Sequence, residues 1–164
     1  MKLYVISETH GNVDKALEVY TKLHSIDLIV HLGDMERDVK QISHSTGKPV
    51  ISVRGNNESY NCAAPDWNIL ETEYGNILLT HGHRQSVKSN LQKLLYRARE
   101  LECRAALFGH THMPFYTEEQ GIHLLNPGSL CLPLDGTSGS YAIVNTSKDS
   151  FSASIVYYSQ LSKI

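Results

Sequence analysis

Side chains that can bind metal ions recur at five points along the chain, each directly after a short apolar run. They lie in Ser7-Glu8-Thr9-His10, Gly33-Asp34, Gly55-Asn56-Asn57-Glu58, Thr80-His81-Gly82-His83 and Gly109-His110-Thr111-His112. Neutral imidazoles suit zinc, manganese, iron or nickel, a carboxylate can bridge two cations, and an amide carbonyl can bind one. Two such ions about 3.5–4 Å apart can clamp a phosphate group and activate water for attack at phosphorus. The residues therefore indicate a site for hydrolysis of a phosphoester.

The elements before these fragments predict a parallel sheet that would bring them together. Apolar runs at 2–6, 28–30 and 49–53 predict buried strands. Helical periodicity from Val13 to Leu23, with Asn12 as N-cap, and a weaker pattern at 36–45 predict helices between them. In such a β-α sheet, the loops after the carboxyl ends of the strands form the functional crevice.

The second half of the chain is richer in predicted strands. Residues 67–73 and 76–80 predict a hairpin, and 86–102 predict an amphipathic helix. Further strands are predicted by turn-bounded apolar segments at 105–108, 113–118, 122–125, 141–145 and 151–158.

Length and charge restrict the class of protein. The chain has 164 residues, which suits a single domain over 1–164. A formal charge of −2 leaves no large basic field for a nucleic-acid polymer or an anionic membrane surface. Three cysteines without C-x-x-C spacing, and no signal-length apolar segment, favour a reduced, cytoplasmic protein. We therefore expect a small phosphoester substrate as partner, with a homodimer as a further possibility.

Each fragment alone has an ordinary structural explanation. A single histidine after a strand is more often a hydrogen-bonded surface residue, and Gly-Asp or Gly-Asn is more often a turn. Five fragments that all follow strands and all carry metal-compatible donors are hard to explain as five independent turns.

The ordered set resembles the calcineurin-like metallophosphoesterases, whose signature is D-x-H, G-D, G-N-H-[ED], H and G-H-x-H. Here the matching residues are Glu8 and His10, Gly33-Asp34, 55–58, His81 and 109–112. The short length, the 80–83 segment and Asn126-Pro127-Gly128-Ser129 resemble the small bacterial and archaeal phosphodiesterase branch. The resemblance extends over essentially the whole chain.

The resemblance implies a four-layer α/β/β/α sandwich with two divalent cations at one edge of its sheets. Manganese is favoured, with nickel, zinc or iron as alternatives. One ion would be held by Glu8, His10, Asp34 and His112, and the other by Asp34, Asn56, His81 and His110. Asp34 would bridge the ions, and metal-bound hydroxide would be the nucleophile.

Two positions depart from the family pattern. Glu8 replaces the first aspartate, which keeps the charge but lengthens the side chain by a methylene. Asn57 stands where larger members carry the histidine that protonates the leaving group. His83 is a candidate for that proton role or for binding phosphate, with a hydrogen bond that supports the ligands as the alternative. The predicted catalytic residues are Asp34, Asn56 and His83. Substrate contacts are assigned to Asn57, Arg54 and Arg84, with a surface ion pair as the alternative for either arginine.

Three functions remain open at this stage. A metal-dependent phosphodiesterase is the leading hypothesis. A phosphomonoesterase would use the same chemistry, and the retromer subunit with this fold offers the model of a protein-binding scaffold. Retention of every histidine among the proposed metal ligands favours an enzyme, and the Glu8 departure keeps the scaffold open.

Overall fold

The protein contains two five-stranded sheets flanked by helices, as seen in a computed structural model that describes residues 1–58 and 62–163. In chain order the elements are β1 (Lys2–Ile6), α1 (Asp14–Lys22), β2 (Leu28–His31), α2 (Glu36–Thr46), β3 (Val50–Ser52), β4 (Trp67–Thr72), β5 (Gly75–Thr80), α3 (Gln92–Glu100), β6 (Cys103–Leu107), β7 (Pro114–Glu119), β8 (Ile122–Pro127), β9 (Ser140–Ser147) and β10 (Ser150–Tyr157), followed by a 3₁₀ helix (Tyr158–Lys163).

Each sheet has a parallel core. The first sheet has the order β10-β9-β1-β2-β3, with β1, β2 and β3 parallel. The second has the order β4-β5-β6-β8-β7, with β5, β6 and β8 parallel. The predicted parallel β-α arrangement is therefore present, and the carboxyl ends of β1, β2, β3, β5 and β6 all lead into the donor fragments.

Central strands such as β1, β2 and β5 are largely buried on both faces, which explains why they read as continuous apolar runs, whereas β4 and β7 at the edges are partly exposed. In β1, Leu3 and Val5 face the core between the sheets, whereas Tyr4 packs with residues of α1 on the outer side. In β5, Leu79 faces the same central core and Leu78 packs against α3. The order of layers is helix, sheet, sheet, helix, which confirms the predicted α/β/β/α sandwich.

The predicted helix over 86–102 is wrong at its first turns. Helix α3 begins only at Gln92, because Ser86 has a left-handed φ of 56° and residues 82–87 form turns closed by backbone bonds. Val87 and Leu91 nevertheless pack into the same apolar cluster as α3. Because both loop residues are buried, the sequence shows apolar residues at helical spacing in a segment that is not helical.

Smaller differences concern element ends. Asn12 does not cap α1 as predicted: the N-cap is Val13, while Asn12 Oδ1 accepts the Asp14 N–H at 3.1 Å. Among the described residues, no helix has both the length and the apolar character needed to cross a membrane.

Candidate metal centre

The loops after five parallel strands bring the seven predicted metal ligands to one edge of the sandwich. Their donor atoms form two groups, each described below by the atoms that approach one another. Glu8, Asp34 and His81 are at most 1% exposed, and the histidines of the other loops are partly exposed. The site is therefore buried at its base and open on one side.

The first group is centred on the Glu8 carboxylate. Its Oε2 lies 2.9 Å from His10 Nε2 and 3.1 Å from His112 Nε2. One donor atom from each of these residues lies within 4.8 Å of the others, which is compact enough for them to share a cation. These are three of the four ligands predicted for the first ion.

The second group is centred on His81 Nε2. This nitrogen lies 2.9 Å from Asn56 Oδ1, 3.2 Å from His110 Nδ1 and 3.7 Å from Asp34 Oδ1. The four residues are those predicted for the second ion, and the donor atoms of the other three lie within 3.7 Å of His81 Nε2.

Asp34 lies between the two groups. Its Oδ2 is 3.7 Å from His10 Nε2, and its Oδ1 is 3.7 Å from His81 Nε2. Glu8 also comes near His81, with Oε1 3.4 Å from Nδ1, but that nitrogen is already 2.7 Å from the Leu32 carbonyl oxygen. The geometry therefore favours Asp34 over Glu8 as the carboxylate that could bridge two ions.

Backbone carbonyls fix the orientation of two imidazoles. His81 Nδ1 lies 2.7 Å from Leu32 O, and His112 Nδ1 lies 2.8 Å from Leu132 O. Because a carbonyl only accepts, both Nδ1 atoms must carry a proton, and each ring turns its Nε2 atom toward the site. This arrangement is typical of metal-binding histidines.

The donor set fits a cation because acceptors face one another. His81 Nε2 faces an amide oxygen and a carboxylate oxygen, and His112 Nε2 faces the Glu8 carboxylate. Acceptor atoms at such distances repel unless a proton or a cation lies between them. Two buried carboxylates and several imidazoles therefore suit divalent cations.

The pKa values of the site reflect the same crowding. Burial opposes ionisation of Glu8, but the hydrogen bond from His112 and the nearby His81 and His110 groups hold its pKa well below the ordinary range. The Glu8 hydrogen bond raises the pKa of His112, whereas burial lowers the pKa of His110 to about 4. Without a cation, a hydrogen bond joins His112 to Glu8. It lies where a metal ion could be held by the two side chains.

Five of the seven donors have an unusual backbone. The left-handed φ values are 59° for Glu8, 45° for His10, 61° for Asp34, 67° for His110 and 59° for His112. A non-glycine residue in this region costs on the order of 1–3 kcal/mol, and such residues cluster at functional sites. Surrounding contacts must therefore hold the donor loops in place.

Close packing supplies part of that support. A Cβ on Gly55 would collide with the Asp34 carboxylate, and a Cβ on Gly109 would collide with the Ser7 hydroxyl. Asn57 donates to both Asp34 oxygens, from its backbone N–H at 3.0 Å and from its side chain at 2.7 Å. In this structure Asn57 orients Asp34, and its predicted substrate contact stays a prediction.

Sequence reasoning noticed the Asn126–Ser129 segment without giving it a role. Asn126 Nδ2 donates to Gly109 O at 2.8 Å, and the Ser129 hydroxyl donates to Glu8 O at 2.9 Å. The Ser129 oxygen also accepts the Leu132 N–H at 2.9 Å, beside the carbonyl that orients His112. Its polar residues after a strand were the signal that could have identified it.

Three other predicted site residues lie around the centre. The His83 ring lies tilted against His81 and edge-on to His110, with ring centroids 5.3 and 6.1 Å away, and burial lowers its pKa. Its buried Nδ1 has no hydrogen-bond partner within residues 1–58 and 62–163. Arg84 is largely exposed and pairs with Asp66 at 3.1 Å. Arg54 is partly buried, and its backbone N–H donates to the Pro65 carbonyl oxygen.

Known proteins with similar sequences carry phosphoesterase names. The chain is 33% identical to the probable metallophosphoesterase YsnB of Bacillus subtilis over 98% of this chain and 92% of that protein. It is 26% identical to the phosphodiesterase MJ0936 of Methanocaldococcus jannaschii, over 92% of this chain and 96% of that protein.

Solved structures share the fold. A predicted phosphoesterase from Streptococcus pneumoniae superposes with a TM-score of 0.79 at 28% identity, over 96% of this chain and 90% of that chain. Zinc-bound Vps29 from Entamoeba histolytica gives 0.77 at 18% identity, over 96% and 99%, and this likeness shows the fold alone. A model of the calcineurin-like phosphoesterase superfamily domain matches residues 1–149. With this match and the YsnB identity, the chain belongs to the calcineurin-like phosphoesterase superfamily.

Proposed function

We propose that this protein is a metal-dependent phosphodiesterase that hydrolyses small phosphodiesters with two divalent cations, manganese being the favoured ion. The observation that carries the proposal is the convergence of carboxylate, amide and imidazole side chains on His81 Nε2 and Glu8 Oε2, a donor set that suits divalent cations. Family membership and the phosphodiesterase name of MJ0936 support the reaction class.

The residues divide between two positions. Glu8, His10 and His112 would hold one ion, Asn56, His81 and His110 the other, and Asp34 would contribute one oxygen to each. When bound, the ions supply Lewis-acid polarisation of the phosphoryl oxygens and a water of lowered pKa. The chain contributes the geometry, because Leu32 and Leu132 fix the imidazoles and Asn57 fixes Asp34.

The leaving group needs a proton, and His83 is the residue proposed to give it. Its ring lies beside His81 and His110, and its Nδ1 is buried without a partner in the described parts of the chain. A partly exposed histidine beside the proposed ligands can act as general acid toward the ester oxygen. Arg54 and Arg84 remain proposed contacts for substrate oxygens.

Asp34→Asn tests the two-ion arrangement, because Asp34 is the residue that reaches both donor groups. Metal-stripped protein is assayed on a chromogenic phosphodiester after addition of manganese, nickel, zinc, iron or buffer alone. We expect metal-dependent turnover, and in the variant a fall on the order of 10²–10³-fold, as for removal of a central electrostatic group. Asp149→Asn, in the exposed β9–β10 turn, is the matched control.

Unchanged turnover in Asp34→Asn would refute the two-ion proposal. No turnover with any metal, from folded protein, would favour the scaffold alternative. A chromogenic phosphomonoester assayed in parallel distinguishes the remaining alternative, since preference for it would replace the diesterase by a monoesterase.

His83→Ala tests the proton donor. Loss of general acid catalysis typically costs about 10²–10⁴-fold, and the loss is greatest when the leaving group is a poor one. We expect a large fall in kcat for an alkyl phosphodiester and a small one for a nitrophenyl diester. His83→Gln, which keeps a polar side chain without an acidic proton, should behave as His83→Ala does. Equal falls on both substrates would exclude His83 as the donor.

A further inference from the structure

Thr9 occupies the position between two proposed ligands, Glu8 and His10, and its side chain is fully buried. The hydroxyl contacts two other buried residues rather than the metal centre. Its Oγ1 lies 2.6 Å from Asp38 Oδ2 and 2.9 Å from His31 Nε2. Asp38 is in the first turn of α2 and His31 is the last residue of β2, so three separate elements meet at this hydroxyl.

The direction of each hydrogen bond follows from the donors available. A carboxylate only accepts, so the single Thr9 proton goes to Asp38. His31 must then donate from Nε2 to Thr9 Oγ1, which fixes its tautomer and leaves Nδ1 as a bare acceptor. That Nδ1 is buried and has no hydrogen-bond partner among the described residues. Burial lowers the pKa of His31 to about 4, in keeping with a neutral ring.

Asp38 binds the residues on both sides of His10, the side chain of Thr9 and the backbone of Gly11. Its Oδ2 accepts the Thr9 hydroxyl on one side and the Gly11 N–H, at 2.7 Å, on the other. His10 itself has a φ of 45°, and Glu8 before Thr9 has a φ of 59°. One carboxylate oxygen therefore spans a segment whose backbone is unfavourable and whose side chains are proposed ligands.

We propose that His31, Thr9 and Asp38 are positioning residues that hold the Glu8–His10 loop in its ligand-presenting conformation and thereby set the affinity of the first cation position. This inference rests on the proposed function, because it concerns the same metal centre. None of the three side chains is among the proposed ligands.

An ordinary core would not need these residue types. Buried polar groups cost free energy unless they are fully paired, and apolar side chains of similar size would fill the space without leaving His31 Nδ1 unpaired. The three polar side chains instead form directional hydrogen bonds, which connect the Glu8–His10 loop to β2 and α2 at defined atoms. Groups that orient metal ligands from behind typically change metal affinity by about 10–100-fold when removed.

The test is calorimetric titration of the metal-stripped protein with Mn²⁺, which does not depend on turnover. Thr9→Val keeps the shape and removes the hydroxyl, whereas Thr9→Ser keeps the hydroxyl. Tyr4→Phe is the control for general loosening, because it removes another buried hydrogen bond, from Tyr4 to Ala16 O, in the strand that precedes the loop. We expect Thr9→Val to weaken one of two binding steps by roughly 10-fold or more, with the other step unchanged. Thr9→Ser and Tyr4→Phe should bind as the wild type does.

Wild-type affinity in Thr9→Val, weakening of both steps alike, or an equal effect of Tyr4→Phe would overturn the inference and leave the proposed function standing. A wild-type protein that binds neither Mn²⁺ nor zinc, nickel or iron would overturn the proposed function itself. Circular dichroism checks folding, and if Thr9→Val does not fold, Asp38→Ala carries the same expectation.

Discussion

His81 and His123 are both buried histidines of the second sheet, yet their ring nitrogens have different neighbours. His123 Nδ1 lies 3.0 Å from the Tyr116 hydroxyl and its Nε2 lies 3.1 Å from the Tyr74 hydroxyl. Its ring stacks on Phe151 with centroids 4.4 Å apart. Because a hydroxyl can donate or accept, either neutral tautomer of His123 is satisfied.

His81 has the opposite environment. One nitrogen is bound to the Leu32 carbonyl, and the other faces an amide oxygen, a carboxylate oxygen and a second imidazole. Both histidines are buried, and they differ in the chemistry of the groups around them: tyrosine hydroxyls at His123, and oxygens with a second imidazole at His81. A histidine whose second nitrogen faces amide and carboxylate oxygens together with another imidazole indicates a cation site, whereas one surrounded by hydroxyls is a stabilised core residue.

The largest expected difference between the two histidines is in catalysis. His81→Ala should lower kcat on a chromogenic phosphodiester by at least about 10²-fold, since even groups that only orient ligands contribute about 10–100-fold. His123→Ala removes the same side chain from the other region and should leave kcat unchanged under conditions where it is folded. Equal losses would mean that His81 acts only through stability.

Manganese should distinguish the regions by thermal stability as well. A ligand at 100 times its Kd stabilises the folded state by about 2.7 kcal/mol, which corresponds to a rise in Tm of about 5–10 °C for a domain of this size. We expect such a rise for wild type and for His123→Ala, and a smaller one for His81→Ala, by calorimetric scanning. A full rise in His81→Ala would remove it from the ligand set.

The smallest difference is in metal-stripped protein under urea. His123→Ala should lower the free energy of unfolding by about 1–3 kcal/mol, because two tyrosine hydroxyls lose their partner and Phe151 loses a stacked ring. His81→Ala should cost less, because without a cation its Nε2 is crowded by the Asn56 and Asp34 oxygens, and the main bond that is lost is the one from Nδ1 to Leu32 O. A larger loss in His81→Ala would contradict this account of the two environments.

Much of the sandwich could be predicted because its central strands are short, apolar and largely buried on both faces, and because helices alternate with the first three. The extent of α3 could not. Val87 and Leu91 are buried at helical spacing, but the left-handed Ser86 and the turns around it interrupt the helix. Periodicity reports which residues are buried and does not report the backbone that buries them.

The sequence by itself determined which side chains could bind metal and that each follows a strand, since residue type and local order are written in it. Only the tertiary structure decided which atoms face one another, as with Asp34 between His10 and His81. It also decided that Thr9 is held by His31 and Asp38, residues 22 and 29 positions away. The physical reason is that hydrogen-bond partners and left-handed backbone angles depend on contacts between distant segments, which local propensities do not encode.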